Sequence, residues 1–347
     1  IWERQRIAAG SELIGDDEVV VVCPPDGRSA TVVSMADGRV LRTPTIPPAE
    51  QRLASSGRRI AWAEPVDPRP GEAWARRVRV GVFDPFTGDQ RPLGDFPGES
   101  RTAEAGPGRL AILEPSGDLT LIDIEEGRKV FRVRLADMPA GMQHVQLMPW
   151  RDRYLVLVGR AETPEEQKQL ERIGAIGPLP GMPGRELPQV TTGSIWAVAR
   201  DTGDMLWPVP VTILRHSLQR YQAAELPVML FARSIQPARE PERPRLSLLC
   251  IDKRTGQAVF VDDRFSGRSP TRPDTMMMGC TLSGDPDGHT ISFAQGGRDA
   301  PDLQLEFTGQ PAAPRPPFQA TSPPAAADSV LDIEYWIKKA FALPFRF

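Results

Sequence analysis

Runs in which apolar and polar residues alternate recur along the chain, and five of them lead into a turn that contains glycine. These runs are VVSMADGRVL (32–41), VGVFDPFTGDQ (80–90), LTLIDIEEGRKVF (119–131), IWAVARDTGDMLWP (195–208) and LLCIDKRTGQAVF (248–260). A period of two is typical of a half-buried β-strand, and glycine supplies the positive φ that a tight hairpin turn requires. The runs therefore predict five β-hairpins, with Gly38, Gly88, Gly127, Gly203 and Gly256 at the turns.

Another apolar stretch precedes each hairpin, and in most units a fainter one comes before that. The clear stretches are 18–22, 58–62, 109–113, 153–158 and 228–231, and the fainter ones include 11–15 and 144–148. Four strands per unit, repeated at about 40–50 residues, is the pattern of a propeller blade. The sequence therefore predicts an all-β fold, a β-propeller of four-stranded antiparallel blades. The alternative is a β-sandwich, but sandwiches do not usually repeat one turn chemistry at a fixed interval.

The two ends of the chain suggest how the ring closes. Residues 1–7 are similar to the strand that follows each turn, while residues 289–293 and 302–307 supply strands of a sixth unit. We therefore expect residues 1–7 to complete the last blade, which gives six blades over a propeller domain of residues 1–309. If the chain is a piece of a longer protein, the ring has seven or eight blades and further domains precede it.

A long insertion, residues 159–193, separates two strands of the fourth unit. Its first part, TPEEQKQLERIG, begins with a capping threonine, a proline and acidic residues, which predicts a short helix. The rest is rich in proline and glycine, and a smaller excursion of similar kind follows at 237–245. Long excursions on a rigid scaffold often bind partners. Two interpretations stay open, a binding element and a tolerated decoration.

The C-terminal part differs from the repeats. Residues 310–327 form a Pro/Ala-rich linker, and residues 328–347 form an amphipathic segment with a predicted helix over 330–342. Its candidate docking residues are Ile333, Trp336, Ile337 and Phe341. An apolar helix on a tether must bury its face, either on the propeller or on another protein.

Composition narrows the classes of partner and chemistry. A formal net charge of −3 argues against a nucleic-acid partner, and no apolar run approaches the roughly 20 residues of a membrane helix. The cysteines, Cys23, Cys250 and Cys280, lack metal-binding spacing. They predict either three buried thiols or one bridge between Cys250 and Cys280.

The polar residues predict no catalytic, metal or cofactor site. The three histidines, His144, His216 and His289, stand about 70 residues apart, whereas metal ligands usually cluster. A GxSxG nucleophile motif is absent from the sequence. The aspartates near the turns are Asp37, Asp84, Asp123, Asp201 and Asp252. Each turn supplies one or two carboxylates where an EF-hand calcium loop needs about five oxygen ligands, so these aspartates are predicted to cap turns.

The stretch IWAVARDTGDMLWP resembles the repeat of PQQ-like (quinoprotein-like) propellers: a strand, Asp, Thr-Gly and a Trp-bearing strand. ELIGDDEVVVVCPPDG and LLCIDKRTGQAVFVDD are most similar to uncharacterised, planctomycete-type members, and the similarity covers residues 1–308. The resemblance implies a periplasmic or cell-envelope location, with a cytoplasmic one still open. It also implies that Trp207 locks adjacent blades, with Phe131 and Phe260 as substitutes elsewhere.

The chain also departs from the enzymes of that family. Those enzymes carry adjacent cysteines over the cofactor, a calcium ion held by Glu, Asn and Asp, and eight blades; the sequence has neither adjacent cysteines nor a CxxCH haem motif. Resemblance to the propeller family without the features of its enzymes implies a non-catalytic scaffold with a protein partner and no cofactor. A quinoprotein-like enzyme or small-ligand binder with a site in the central channel is the alternative, and a sensor module of a longer chain is a third.

Overall fold

The computed structural model describes residues 7–25, 28–66, 76–172, 174–175, 190–218, 224–235, 245–265, 280–284, 290–295 and 303–306. The predicted closing strand (1–7, except for its last residue), most of the excursion at 237–245, the linker and the C-terminal segment with its docking residues lie outside this part of the chain. The domain boundaries and the blade number therefore stay predictions.

The first three sheets each contain four antiparallel strands in chain order. The first is β1 (Glu12–Gly15), β2 (Val19–Cys23), β3 (Thr31–Ser34) and β4 (Val40–Arg42). The second is β5 (Arg52–Ser56), β6 (Arg59–Val66), β7 (Arg77–Phe83) and β8 (Gln90–Pro97), preceded by a 3-10 turn at Ala49–Gln51. The third is β9 (Arg101–Glu104), β10 (Arg109–Leu113), β11 (Asp118–Asp123) and β12 (Arg128–Arg134).

Seven further strands form one antiparallel sheet, again in chain order. They are β13 (Met142–Trp150), β14 (Arg153–Arg160), β15 (Val190–Ala199), β16 (Val211–Leu218), β17 (Val228–Ile235), β18 (Arg245–Asp252) and β19 (Ala258–Phe265). The predicted fourth and fifth units join here because the end of β16 pairs with β17, through Ser217–Ala232 and Leu218–Phe231. A three-stranded sheet follows: β20 (Cys280–Gly284), β21 (Thr290–Gln295) and β22 (Leu303–Glu306).

The fold class predicted from the alternating pattern is confirmed: the chain is all-β, with antiparallel sheets that have the strand order of propeller blades. The predicted helix in the insertion is also present, as α1 (Pro164–Arg172). It is the one α-helix of the described residues, none of which form a helix long and apolar enough to cross a membrane.

The chain divides into two compact units, Ile1–Val158 with Val198–Met205, and Gly159–Ala197 with Leu206–Phe347. In the first unit, alternate residues of β6 serve two cores. Ile60 and Trp62 pack with Val19 and Val21 of the first sheet, whereas Ala61 packs in the cluster that contains Leu110 of the third sheet. Middle strands are thus buried on both faces, which explains why their sequences read as nearly continuous apolar runs.

The core of the second unit follows the same rule. Four consecutive residues of β17, Val228 to Phe231, are at most 2% exposed, and so are the facing Leu248 to Ile251 of β18. Side chains from both faces of each strand are therefore removed from water, and this burial of apolar surface is the main stabilising contribution to such a stack.

Candidate functional site

The five predicted turn glycines all have backbone angles that other residues avoid. Their φ values are 72° at Gly38, 84° at Gly88, 60° at Gly127, 79° at Gly203 and 73° at Gly256. Cβ sterics disfavour this left-handed region for other residues. Each turn therefore requires the residue type that the repeated phrase supplies at this position.

Four of the turns share one hydrogen-bond pattern. The glycine N–H donates to the carbonyl four residues earlier, and that residue's own N–H donates to the carbonyl just after the glycine. In the second repeat the distances are 2.7 Å for Gly88 N to Asp84 O and 2.9 Å for Asp84 N to Asp89 O. The same two bonds close the turns of Gly38, Gly203 and Gly256. These four repeats therefore share the same turn geometry.

Aspartate side chains cap four of the five glycine turns as predicted, the exception being the turn of Gly203. Asp84 Oδ1 accepts from the Phe86 N–H at 2.8 Å, Asp123 Oδ1 from the Glu126 N–H at 2.8 Å and Asp252 Oδ1 from the Arg254 N–H at 2.7 Å. Asp37 Oδ1 accepts from the Arg39 N–H at 3.1 Å. This hydrogen bond, together with one from the Ser34 hydroxyl, holds the pKa of Asp37 below its usual value. Asp201 is exposed at its turn.

Aromatic side chains pack onto the glycine of the following repeat's turn. The Trp207 ring covers Gly256 so closely that a Cβ atom there would lie 2.8 Å from Cδ2 of the indole. Its Nε1–H donates to the Arg254 carbonyl of the same turn at 3.1 Å. Phe131 covers Gly203 in the same way, with a Cβ position 2.6 Å from Cδ2. We call a contact of this kind, in which a side chain packs on the next glycine turn or donates a hydrogen bond to a carbonyl of that turn, the turn contact.

Arginine supplies the turn contact where the repeat lacks an aromatic residue. Arg42 occupies the place of Trp207 in the first repeat, and its guanidinium donates to the Phe86 carbonyl. The second repeat has Pro92 at that place, and Arg59 of β6 instead donates to the Glu125 carbonyl. Both carbonyls stand two residues after the start of their turn, as Arg254 does. The sequence pointed to Trp207 and Phe131 and missed the two arginines, although Arg42 stands in register with Trp207, and the same contact for Phe260 stays a prediction.

The buried turn aspartates are also paired with arginine. Asp84 is 5% exposed, and the Nε atoms of Arg58 and Arg59 lie 3.6 Å and 3.8 Å from its Oδ2. Arg109 Nη2 lies 3.2 Å from Asp123 Oδ2. A buried carboxylate without a partner is strongly destabilising, so these pairs satisfy charges that the turn geometry removes from water.

Hydrogen bonds fix the inserted helix at its first turn. The Thr163 hydroxyl accepts from the Glu166 N–H at 3.2 Å, and the Glu166 carboxylate accepts from the Thr163 N–H at 2.9 Å, which is a capping box. Arg160 donates to both carboxylate oxygens of Glu166, at 2.7 Å and 2.5 Å. The Arg160 guanidinium holds the pKa of Glu166 below its usual value.

The histidines do not form a site in the described part of the chain. His216 is buried, with Nδ1 2.7 Å from the Leu214 carbonyl and Nε2 3.4 Å from Ser247 Oγ. His144 lies on β13, and burial lowers its pKa. His289 lies outside the described residues. Within those residues no group of three or more His, Cys, Asp or Glu side chains is placed to hold a metal ion.

Cys23 and Cys250 are buried thiols without a disulfide bond. Burial raises the pKa of Cys23 to about 11 and that of Cys250 to about 12. The alternative prediction, a disulfide bond between Cys250 and Cys280, is wrong, because Cys250 is a free thiol. Cys250 is 1% exposed on β18, opposite Leu230 of β17 and Phe260 of β19, where a small apolar thiol packs well.

We expect both thiols to resist alkylation in the folded protein, because the thiolate is the reactive form and burial suppresses it. Iodoacetamide at pH 8, followed by peptide mass spectrometry, should label Cys23 and Cys250 at least ten-fold more slowly than in 6 M guanidinium. Equal rates in the folded and unfolded protein would show that these strands open readily.

No protein-family model and no curated protein matches the chain. Solved structures do match over most of its length. Kuenenia stuttgartiensis hydrazine synthase covers 88% of this chain and 80% of its own, at 12% identity and a TM-score of 0.30. BamB from Moraxella catarrhalis covers 86% and 70%, at 13% identity and a TM-score of 0.28.

A third match is the β-propeller domain of the Trilobed protease from Pyrococcus furiosus. It covers 86% of this chain and 83% of its own, at 10% identity and a TM-score of 0.31. Similarity at this level assigns neither a family nor a function to the chain.

Proposed function

We propose that the chain is a non-catalytic, propeller-type scaffold that binds a protein partner in the cell envelope. The observation that carries the proposal is the series of turn contacts: within each unit, side chains of one repeat fasten the turn of the next repeat. These contacts hold neighbouring repeats to one another, and a scaffold held in this way is suited to presenting loops and appended segments.

Two appended elements are suited to contact the partner. The insertion leaves the sheet as a capped helix whose Glu165, Lys168 and Glu171 are exposed. The C-terminal segment carries Ile333, Trp336, Ile337 and Phe341, which would bury their apolar face on the partner. The envelope location rests on the resemblance to PQQ-like propellers.

The test is a capture experiment from native cell-envelope extract with the full chain as bait. Wild type is compared with a Trp336→Ala/Phe341→Ala double variant and with Met35→Ala, which removes an exposed apolar side chain elsewhere. We expect the wild type and Met35→Ala to enrich the same protein, and the double variant to enrich it at least ten-fold less. Equal recovery by all three baits, or recovery by none, would contradict the proposal.

A further inference from the structure

Arg215 is held in a strained backbone conformation where the insertion meets the sheet. Its φ is 48°, although it is not glycine. It lies on β16 next to the point where pairing with β15 shifts register, between Thr191 and Gly193. A non-glycine residue stays in this conformation only when surrounding contacts hold it there. The contacts of Arg215 therefore indicate which part of the structure requires the strained backbone.

Those contacts all lead to the insertion or to the strand that closes it. The Arg215 N–H donates to Thr192 Oγ1 at 2.9 Å. Its guanidinium donates to the Ala175 carbonyl at 3.1 Å and, as a two-pronged fork, to both carboxylate oxygens of Glu162, with 2.8 Å from Nε to Oε1. The Thr192 hydroxyl also donates to Glu162 Oε1, at 3.1 Å. Both ends of the described insertion are thereby fastened to one residue of β16, Thr192 through the backbone N–H of Arg215 and Glu162 through its guanidinium.

The Glu162–Arg215 pair is shielded from water. The two side chains are only 20% and 16% exposed. A forked arginine–carboxylate pair is directional as well as strong, and removing one member of a shielded pair leaves the other charge uncompensated. The contact therefore depends on both partners.

Few other contacts hold helix α1 against the sheet, and one of them is an isolated bridge between Ala175, which follows the helix, and Ile235 of β17. Leu170 is its one buried residue among those described, and it packs with Ala175 and Leu214. An isolated helix needs about 12–15 residues to be even marginally stable in water, and α1 has nine. The capping box organises the first turn, and the Arg160–Glu166 pair joins that turn to the end of β14, but neither contact reaches β16.

We propose that the Glu162–Arg215 pair is a latch that docks the inserted helix on the sheet, and that the helix is released as a unit when the latch opens while the sheet stays folded. Local openings of this kind have a lower free energy than global unfolding and involve segments with few buried contacts. The inference does not depend on the proposed function, since it concerns whether α1 undocks and not what it binds.

Hydrogen exchange of the full chain, read by peptide mass spectrometry, tests the latch. Wild type is compared with Glu162→Gln and with Glu165→Gln, a matched change at an exposed glutamate within α1. We expect Glu162→Gln to exchange the amides of α1 at least ten-fold faster than wild type. Exchange in β17 and β18 should be unchanged, and Glu165→Gln should stay within two-fold of wild type.

A second variant separates the latch from the backbone strain. Arg215→Gly relieves the positive φ but removes the guanidinium, so we expect α1 to exchange as fast as in Glu162→Gln. Protection of α1 equal to wild type in either variant would overturn the proposal. A parallel rise in exchange of β17 and β18 would also overturn it, because the helix would then open only with the whole sheet.

Discussion

Replacing Trp207 by alanine is expected to lower the free energy of unfolding by about 4 kcal/mol, within the range measured for buried tryptophan truncations. The side chain is 1% exposed and covers the Gly256 turn. Its removal leaves a cavity and also leaves the Arg254 carbonyl without its indole donor. Urea unfolding followed by far-UV circular dichroism measures the change without relying on tryptophan fluorescence.

Two controls show which part of the Trp207 contact matters. Trp207→Phe keeps the ring on Gly256 and loses the hydrogen bond, so we expect a loss nearer 1 kcal/mol. The natural Phe131–Gly203 contact has this form. Met205→Ala removes an exposed side chain from the same hairpin and should change stability by less than about 0.5 kcal/mol. A loss below about 1 kcal/mol for Trp207→Ala would contradict the role assigned to the turn contact.

Replacing Gly203 by alanine is expected to cost about 3 kcal/mol, from two separate causes. The left-handed conformation, with φ of 79°, costs a residue with a Cβ about 1–2 kcal/mol. The new Cβ would also lie 2.6 Å from Cδ2 of Phe131, and forcing such overlap in a packed core costs a further 1–3 kcal/mol or so. The same urea titration measures the sum.

Gly88→Ala is the matched control for this substitution. Gly88 has φ of 84° in the same kind of turn, but a Cβ there would meet no atom within 4 Å. Only the backbone cost of about 1–2 kcal/mol should appear. If Gly88→Ala and Gly203→Ala were equally destabilising, the aromatic packing on Gly203 would not be tight.

The local pattern was predictable because each turn carries its own chemistry. Alternation located the strands, and the requirement for positive φ located the turns at Gly38, Gly88, Gly127, Gly203 and Gly256. The helix α1 followed from its threonine cap and acidic first turn in the same way. Such signals lie within a few residues of the element they specify.

Contacts between repeats were predictable for the aromatic residues but not for the arginines. Trp207 could be singled out because the sequence resembles PQQ-like propellers, whose repeats carry a tryptophan at this place. Arg42 and Arg59 could not, since an arginine at a strand end reads equally well as a solvent-exposed residue. Their role depends on the carbonyls of Phe86 and Glu125, which are 44 and 66 residues away along the chain.

The latch at Arg215 could not be read from the sequence for a further reason. It depends on a positive φ at a residue that normally avoids it, and on a register shift in the β15–β16 pairing. Propensity assigns neither feature to an arginine within an apolar strand. Only the position of Glu162 at the start of the insertion makes the arrangement stabilising.

A double-mutant cycle between Phe131 and Gly203 tests most directly whether side chains of one repeat fasten the turn of the next. Free energies of unfolding are compared for wild type, Gly203→Ala, Phe131→Ala and the double variant. We expect Gly203→Ala to cost about 1–3 kcal/mol less when Phe131 is already alanine, because the clash is then absent. A coupling energy within about 0.5 kcal/mol of zero would contradict the account.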